Sequence, residues 1–446
     1  MDNITFLDYI LLPVYLVGIY IVAIRFRNRH YPAGHPWRAY FLSGLTVKIL
    51  GAIAIGLLYY YYYGGAGDSF KYFYHARLIN NSRSDPTGLW WRLITHTADL
   101  SRAADNMYVD QLYWYDDAPS YTVGSIAALA GLVTFTKYLL ISVLFASVAF
   151  TGCWALFRTF ASQYPALIRP VAIATLFIPS TIIWGSGLFK DTICMFALGW
   201  LTYCFYKIFE RKKPGVGTLV MVLLSIYLLA TIKAYILLSF LPLLIIKTIF
   251  SYRNQIENST RRTLFIIVAG LLTFWVARYS YEKVQDTFKT YAIENIAGTV
   301  KKTSDFILQV SQEEEGAGYS LGEFDPTLQG LATKLVPAIN VSLFRPYLWE
   351  VRNPLMILAA LESLVFLIFT LKVLLTNNPF RSVSRAFKDP NILFCIVFTL
   401  LFAFFTGITS YNFGTLSRYR IPCLPFFTIA LILLDQKRKI KKEQLS

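Results

Sequence analysis

The residues best placed to do chemistry lie in one run, Gly64-Gly-Ala-Gly-Asp-Ser-Phe-Lys-Tyr-Phe-Tyr-His-Ala-Arg77. Its glycines break the apolar stretch before them and free the backbone to turn. Asp68 can then cap a new helix. Asp68, Tyr72 and His75, at i, i+4 and i+7, would line one face of that helix. A carboxylate so placed can take a proton from a hydroxyl; the plainer reading is a cap with a solvated helix behind it. Two further runs combine glycine with charge: Trp184-Gly-Ser-Gly-Leu-Phe-Lys-Asp191, holding Lys190, and Asn412-Phe-Gly-Thr-Leu-Ser-Arg-Tyr-Arg420, holding Arg418. Arginine offers a planar fork to phosphate oxygens and lysine a point charge, so both runs suit an anionic headgroup. The segment Phe344-Arg-Pro-Tyr-Leu-Trp-Glu350 adds Arg345, within reach of phosphate or sugar, and Trp349, able to stack. An interfacial Trp/Arg belt explains that segment equally well. HExxH, P-loop, GxSxG and metal-spaced His/Cys patterns are absent from the sequence, and a requirement for a divalent metal stays open.

The elements that must position these residues are membrane helices. Of 446 residues, 56% are hydrophobic and only 15% charged, against about 25% charged in soluble chains. This excludes a soluble globular enzyme, a disordered chain, a coiled coil and a disulfide-rich secreted domain. The five cysteines fall in apolar stretches without a CxxC pair and read as small core residues. The expected fold is an all-α polytopic membrane helix bundle forming a single integral membrane domain over 1–446. Apolar stretches able to cross about 30 Å of hydrocarbon run over 7–24, 39–63, 136–157, 170–188, 192–209, 215–231, 234–250, 263–280, 354–375, 391–409 and 420–434, about eleven spans. The shorter 122–135 reads as re-entrant or interfacial. Around Thr231 to Tyr235, two helices meeting at a turn and one long buried helix are both open.

Charge orients the bundle. The connections 25–38, 158–169, 207–213, 247–262, 372–389 and 435–446 hold 23 Lys/Arg against 5 Asp/Glu; the long loops 64–121 and 281–353 hold 12 against 17. The positive-inside rule puts the first set in the cytoplasm, both long loops outside, the N-terminus outside and the C-terminus inside. The net charge of +16 is then topological and not a nucleic-acid footprint, and the Lys437–Lys442 tail is a membrane anchor. The first apolar run follows an acidic residue, unlike a cleavable signal peptide. Seven basic residues fall in neither set, and six of them, Lys137, Lys190, Lys233, Arg278, Arg418 and Arg420, lie at outer ends of spans. Lys48 and Glu362 lie within spans, where an ionisable group is costly; Glu362 must pair or protonate and reads as a structural hydrogen-bonding residue. If the approach to the last span is extended, Arg418 and Arg420 point the same way and can share one phosphate.

An acidic residue in the first long outer loop, in Gly67-Asp68-Ser69 followed by Tyr72 and Ala76, resembles the polytopic glycosyltransferases of the GT-C type. Those enzymes take a sugar from a polyprenyl-phosphate carrier on the outer face of the membrane. The resemblance implies that Asp68 is the catalytic base and that Asp116 and Asp117 form a second acidic site. One span more precedes Asp68 here than in the family, which implies an added helix at the front. On this reading the chain is a transferase of the cell inner (plasma) membrane. A polyprenyl-phosphate-linked sugar is the donor, and a glycan, lipid or protein is the acceptor. Lys190, Lys233, Arg418 and Arg420 would hold the carrier phosphate, Asp191 would orient one of the basic residues, and the loop aromatics would hold sugars. Rival readings are a polysaccharide polymerase or ligase working through arginines on a lipid pyrophosphate, and a transporter or flippase of an anionic lipid or sugar.

Overall fold

The computed structural model describes residues 3–253, scattered positions between 260 and 278, residues 318–376 apart from 324 and 326, and 379–443. Most of the expected span 263–280, and residues 281–317 of the second long loop, lie outside the described residues. The secondary structure described is helical, with one isolated bridge between Gly318 and Asn412. This is the architecture of a multi-pass membrane protein. Among the described residues seven helices are long and apolar enough to cross a bilayer, or eight if the pair Phe413–Tyr419 and Leu424–Asp435, bent by 68°, counts as one span. The chain divides into two compact units: Met1–Phe177, Thr181–Tyr203 and Leu219–Lys233 in the first, Ile178–Ser180, Cys204–Thr218 and Ala234–Ser446 in the second.

The first unit opens with α1 (Phe6–His30) and α2 (Arg38–Tyr61), then the helices of the first long loop, α3 (Asp68–Asn81), α4 (Leu89–Ile94) and α5 (Ala103–Val109). The shorter apolar α6 (Ala118–Thr134) and the spanning α7 (Tyr138–Gln163) follow. Helix α7 is the buried centre, packed against α1, α2 and α6, whereas α1 leaves Val14, Val17 and Val22 exposed. Asp8 satisfies two helix starts at once. It accepts from Thr5 N and Oγ1 (2.9 and 2.8 Å) in a capping box on α1, and from Leu139 N (3.0 Å) in the first turn of α7. Lys137 reaches back to Thr5 Oγ1 at 3.0 Å and so ties the start of α7 to the start of α1.

The sequence reads 170–188 as one span. The chain instead forms α8 (Ile168–Leu176) and α9 (Pro179–Trp184) before α10 (Lys190–Phe205). The residue before a proline is pushed out of the helical region, which stops α8 ahead of Pro179. The second break, at Gly185–Phe189, is where buried Lys48 on α2 donates to the carbonyls of Thr181 (2.7 Å) and Gly185 (2.9 Å). A side chain on Gly185 would start 2.6 Å from Thr181 O and 3.1 Å from Lys48 Nζ, so glycine is needed for that approach. After a π-helical turn at Tyr206–Glu210, α11 covers Val216–Arg253. It is broken at Lys233, whose φ of −146° and ψ of 74° are not helical. Two helical lengths therefore meet at the position where the sequence left a turn open.

In the second unit come α12 (Leu328–Thr333), α13 (Leu335–Phe344), α14 (Pro354–Thr376), α15 (Pro379–Lys388), α16 (Pro390–Ser410), α17 (Phe413–Tyr419) and α18 (Leu424–Glu443). Helices α13 and α18 pack on α16. Phe240, Phe398 and Phe426 meet at ring distances of 4.9 and 5.2 Å in the core of this unit. The final span begins at Leu424, as Pro422 suggests, but the approach to it is helical and not extended.

Candidate functional site

Asp68 is the first residue of α3, half-buried, and its cap is Gly67. The sequence assigned the cap to Asp68 itself. Gly67 sits at φ +109°, and a Cβ there would run into the Tyr59 ring, so glycine is required on both counts. Helix α3 is fixed by Ser69 Oγ to Tyr138 OH (2.7 Å) at its start and by Asn80 Nδ2 to Ala128 O and Thr136 Oγ1 (both 3.0 Å) at its end. Trp90 Nε1 donates to Asn80 Oδ1 at 3.1 Å, so Trp90 is held inward while Trp91 is exposed. Arg92 grips buried Asp105 with two bonds of 2.8 and 2.6 Å, and that pairing pushes the Asp105 carboxyl down to about 2. The carboxylate also takes Asp99 N at 3.0 Å. The short helices of the first long loop are thus braced against one another, and those at Asp68–Asn81 and Leu89–Ile94 pack on α6.

Tyr72 and His75 are fully buried where α3 packs on α6. Tyr72 lies 4.9 Å from the Trp114 ring, and a Cβ on Gly124 would come within 2.8 Å of His75 Cβ. His75 Nε2 accepts from Trp114 N at 3.3 Å, and its Nδ1 has no partner among the described residues. Burial pushes the imidazole down to about 4. The structure gives both residues to helix packing. Of the face expected from the i, i+4, i+7 spacing, only Asp68 keeps access to solvent. Tyr113 is exposed, with Lys71 Nζ 4.6 Å above its ring, and offers the flat aromatic surface on this side.

Lys190 and Asp191 open α10 and reach different neighbours. Asp191 is fully buried and pairs with Lys233 Nζ at 2.5 Å, at the break in α11. Lys190 is partly open and lies 3.5 Å from Asp117 Oδ2; its other electrostatic neighbours include Lys233 and Asp68. Asp117 is the cap residue of α6 and also accepts from Ser120 Oγ. Asp116 beside it is exposed. Asp68, Asp117, Lys190, Asp191 and Lys233 therefore form one neighbourhood within the first unit. Four segments far apart in the sequence build it.

The arginines of the second unit are placed otherwise. Arg418 lies half-buried in the last turn of α17 and Arg420 just beyond it. Because the segment is helical, residues two apart leave it on different sides, and the shared phosphate expected from an extended segment is overturned. Arg420 is fully buried. It donates to Ser342 O (3.1 Å), Arg345 O (3.0 Å), Ser363 Oγ (2.9 Å) and Glu362 Oε1 (3.2 Å). Glu362 in turn accepts from Ser180 N (2.7 Å) and Oγ (2.6 Å), which meets the requirement that a carboxyl within a span be paired. Arg345 is engaged by Glu350 through Nε at 3.0 Å and sits 5.2 Å above the Phe413 ring. Trp349, 81% exposed, stacks on Tyr347 at 4.8 Å. Among the described residues no three metal-ligating side chains come together. No protein-family model, no curated protein and no solved structure matches the chain.

Proposed function

We propose that the first unit carries an outer-face site of the inner (plasma) membrane, where a sugar passes from a polyprenyl-phosphate-linked donor to a hydroxyl acceptor. The single observation that carries this reading is the setting of Lys190, a partly open cation with Asp117 at 3.5 Å and Asp68 among its electrostatic neighbours. Asp68 accepts the proton of the acceptor hydroxyl as its oxygen bonds to the anomeric carbon. The bond from that carbon to the carrier phosphate breaks, and the phosphate leaves with the electron pair. Lys190 compensates the charge on it. Lys233 is buried against Asp191, so it braces the start of α10 instead of meeting phosphate. Asp117 holds Lys190 until the donor arrives, and Asp116 and Tyr113, both exposed, face incoming sugar. Arg420 is spent inside the second unit, which removes one of the two arginines on which a polymerase mechanism would rest.

Membranes containing the chain are to be supplied with a panel of polyprenyl-phosphate hexoses, with and without a divalent-metal chelator, and donor loss followed by mass spectrometry. Consumption of one donor, reduced roughly 10²-fold or more in Asp68→Asn, is the expected result. Equal consumption by Asp68→Asn and wild type would reject Asp68 as the base, and no consumption of any donor would reject the reaction.

A further inference from the structure

A separate cleft of about 750 Å³ opens between α1, α2, α7 and α10, all within the first unit. It lies in the size range of small-molecule sites, and its walls are almost wholly apolar, among them Val14, Ile19, Val22, Leu45 and Phe150. The few polar groups lining it are turned to internal partners. Tyr15 OH donates to Val133 O, Trp200 Nε1 to Thr151 Oγ1 at 3.0 Å, Trp154 Nε1 to Tyr31 OH at 2.9 Å, and Ser147 Oγ to Val143 O at 2.8 Å. Arg158 is the exception. Its Nη2 donates to Tyr203 OH at 2.6 Å and its plane lies 4.4 Å over that ring, but among the described residues no carboxylate pairs with it. Arg158 lines the cleft, and among the described residues its other N–H donors carry no recorded hydrogen bond.

We propose that the cleft holds the acyl chains of an anionic phospholipid whose phosphate is bound by Arg158. Three observations fit that occupant. The stretch of α1 lining the cleft, from Val14 to Phe26, is about 18 Å long at helical rise, close to the depth of one leaflet of a bilayer with a hydrocarbon core of about 30 Å. The Arg158 end carries an aromatic cluster, with Trp154 at 5.3 Å from Tyr31 and 5.0 Å from Phe41, and Trp37 at 5.7 Å from Phe157. Tryptophan and tyrosine gather at headgroup depth, which is where a phosphate would be. The planar guanidinium can then bind the phosphate through two parallel bonds. Gly18 on α1 supplies room: a Cβ there meets nothing within 4 Å, so the wall is open at that point.

The test uses the full chain reconstituted in nanodiscs of equal phosphatidylglycerol and phosphatidylcholine, released into detergent and weighed by native mass spectrometry. Wild type should retain phosphatidylglycerol over phosphatidylcholine by about tenfold. Arg158→Gln should bring that ratio to about one. Gly18→Phe should lose retained lipid of both kinds while unfolding at the wild-type temperature, since it fills open space. The proposal is overturned if Arg158→Gln keeps the preference, if Gly18→Phe retains as much lipid as wild type, or if wild type holds only detergent, unselected lipid or a second copy of the chain.

Discussion

Replacing Glu362 by glutamine keeps the shape of the side chain and removes its charge. Arg420 is then left fully buried without the carboxylate that compensates it, while its contacts at 3.1, 3.0 and 2.9 Å to two carbonyls and Ser363 Oγ remain. Removing one partner of a buried ion pair costs about 3–5 kcal/mol, most of it the uncompensated charge. Glutamine also sets an amide N–H₂ where the carboxylate accepts from both Ser180 N and Ser180 Oγ; the hydroxyl can rotate to suit it, but the N–H cannot. A loss of 3–5 kcal/mol lowers the folded-to-unfolded ratio by a factor of about a hundred to several thousand. Arg420→Met should also destabilise, through the lost carbonyl bonds and an unpaired Glu362. The double variant removes both charges, so its cost should fall short of the sum of the two single costs by about 2 kcal/mol or more. The assay is unfolding in mixed micelles across an SDS titration, for wild type, both single variants and the double. Strictly additive costs, or a Glu362→Gln cost under about 1 kcal/mol, would show that this pair does not hold the second unit together.

His75 makes stability depend on pH. Its folded imidazole titrates at about 4 against roughly 6.5 when unfolded, so the stabilisation is present above about pH 6.5 and is lost as pH falls toward 4. Between pH 7.5 and 5 wild type should lose about 2 kcal/mol more than His75→Leu, and equal losses in unfolding assays at the two pH values would refute this. For topology, single cysteines at Ser84 and Ser320 should react with an impermeant thiol reagent on intact spheroplasts; labelling of either one only after the membrane is opened would reverse the side of that loop.

The helices were legible because apolar length and the positions of proline and glycine are local properties. Pro179 and Gly185 mark breaks that the 170–188 span ignored, and the break at Lys233 was foreseen as one of two options. The partners of the charges were not legible. Lys48 meets Thr181, and Arg420 meets Glu362 and Ser342, across long stretches of sequence. The sequence places six basic residues at outer ends of spans, yet a position at a span end fixes depth and not direction around the helix axis. Arg420 and Lys233 turn inward, and Lys137 reaches Thr5. The Arg92–Asp105 brace joins two loop helices across 13 residues of chain, a pairing that no local pattern specifies.

The buried charges follow a rule that sorts structural from functional candidates. A helix end inside a membrane leaves carbonyls or N–H groups that no water can satisfy. Several of the described helix ends are met by a charge of the sign the helix dipole favours. Lys48 binds the carbonyls that end α9, and Arg420 binds those of Ser342 and Arg345 at the end of α13. Glu362 takes the Ser180 N–H near the start of α9, and Asp8 takes those of Thr5 and Leu139. Arg158 and Lys190 fall outside this rule. Arg158 lies in the C-terminal part of α7, and among the described residues no carboxylate pairs with it. Lys190 stands in the first turn of α10, the positive end of the dipole, where a cation is disfavoured. A lysine kept at that end needs an anion to offset the dipole and its own charge, because Asp191 in the same turn is already paired with Lys233 at 2.5 Å. Asp117 at 3.5 Å is partly exposed and at the outer limit of a bond, so it offsets them weakly. On the function proposed above, a phosphate entering beside Lys190 supplies further negative charge there, whereas Arg420 is already bound to Glu362 and the carbonyls of Ser342 and Arg345.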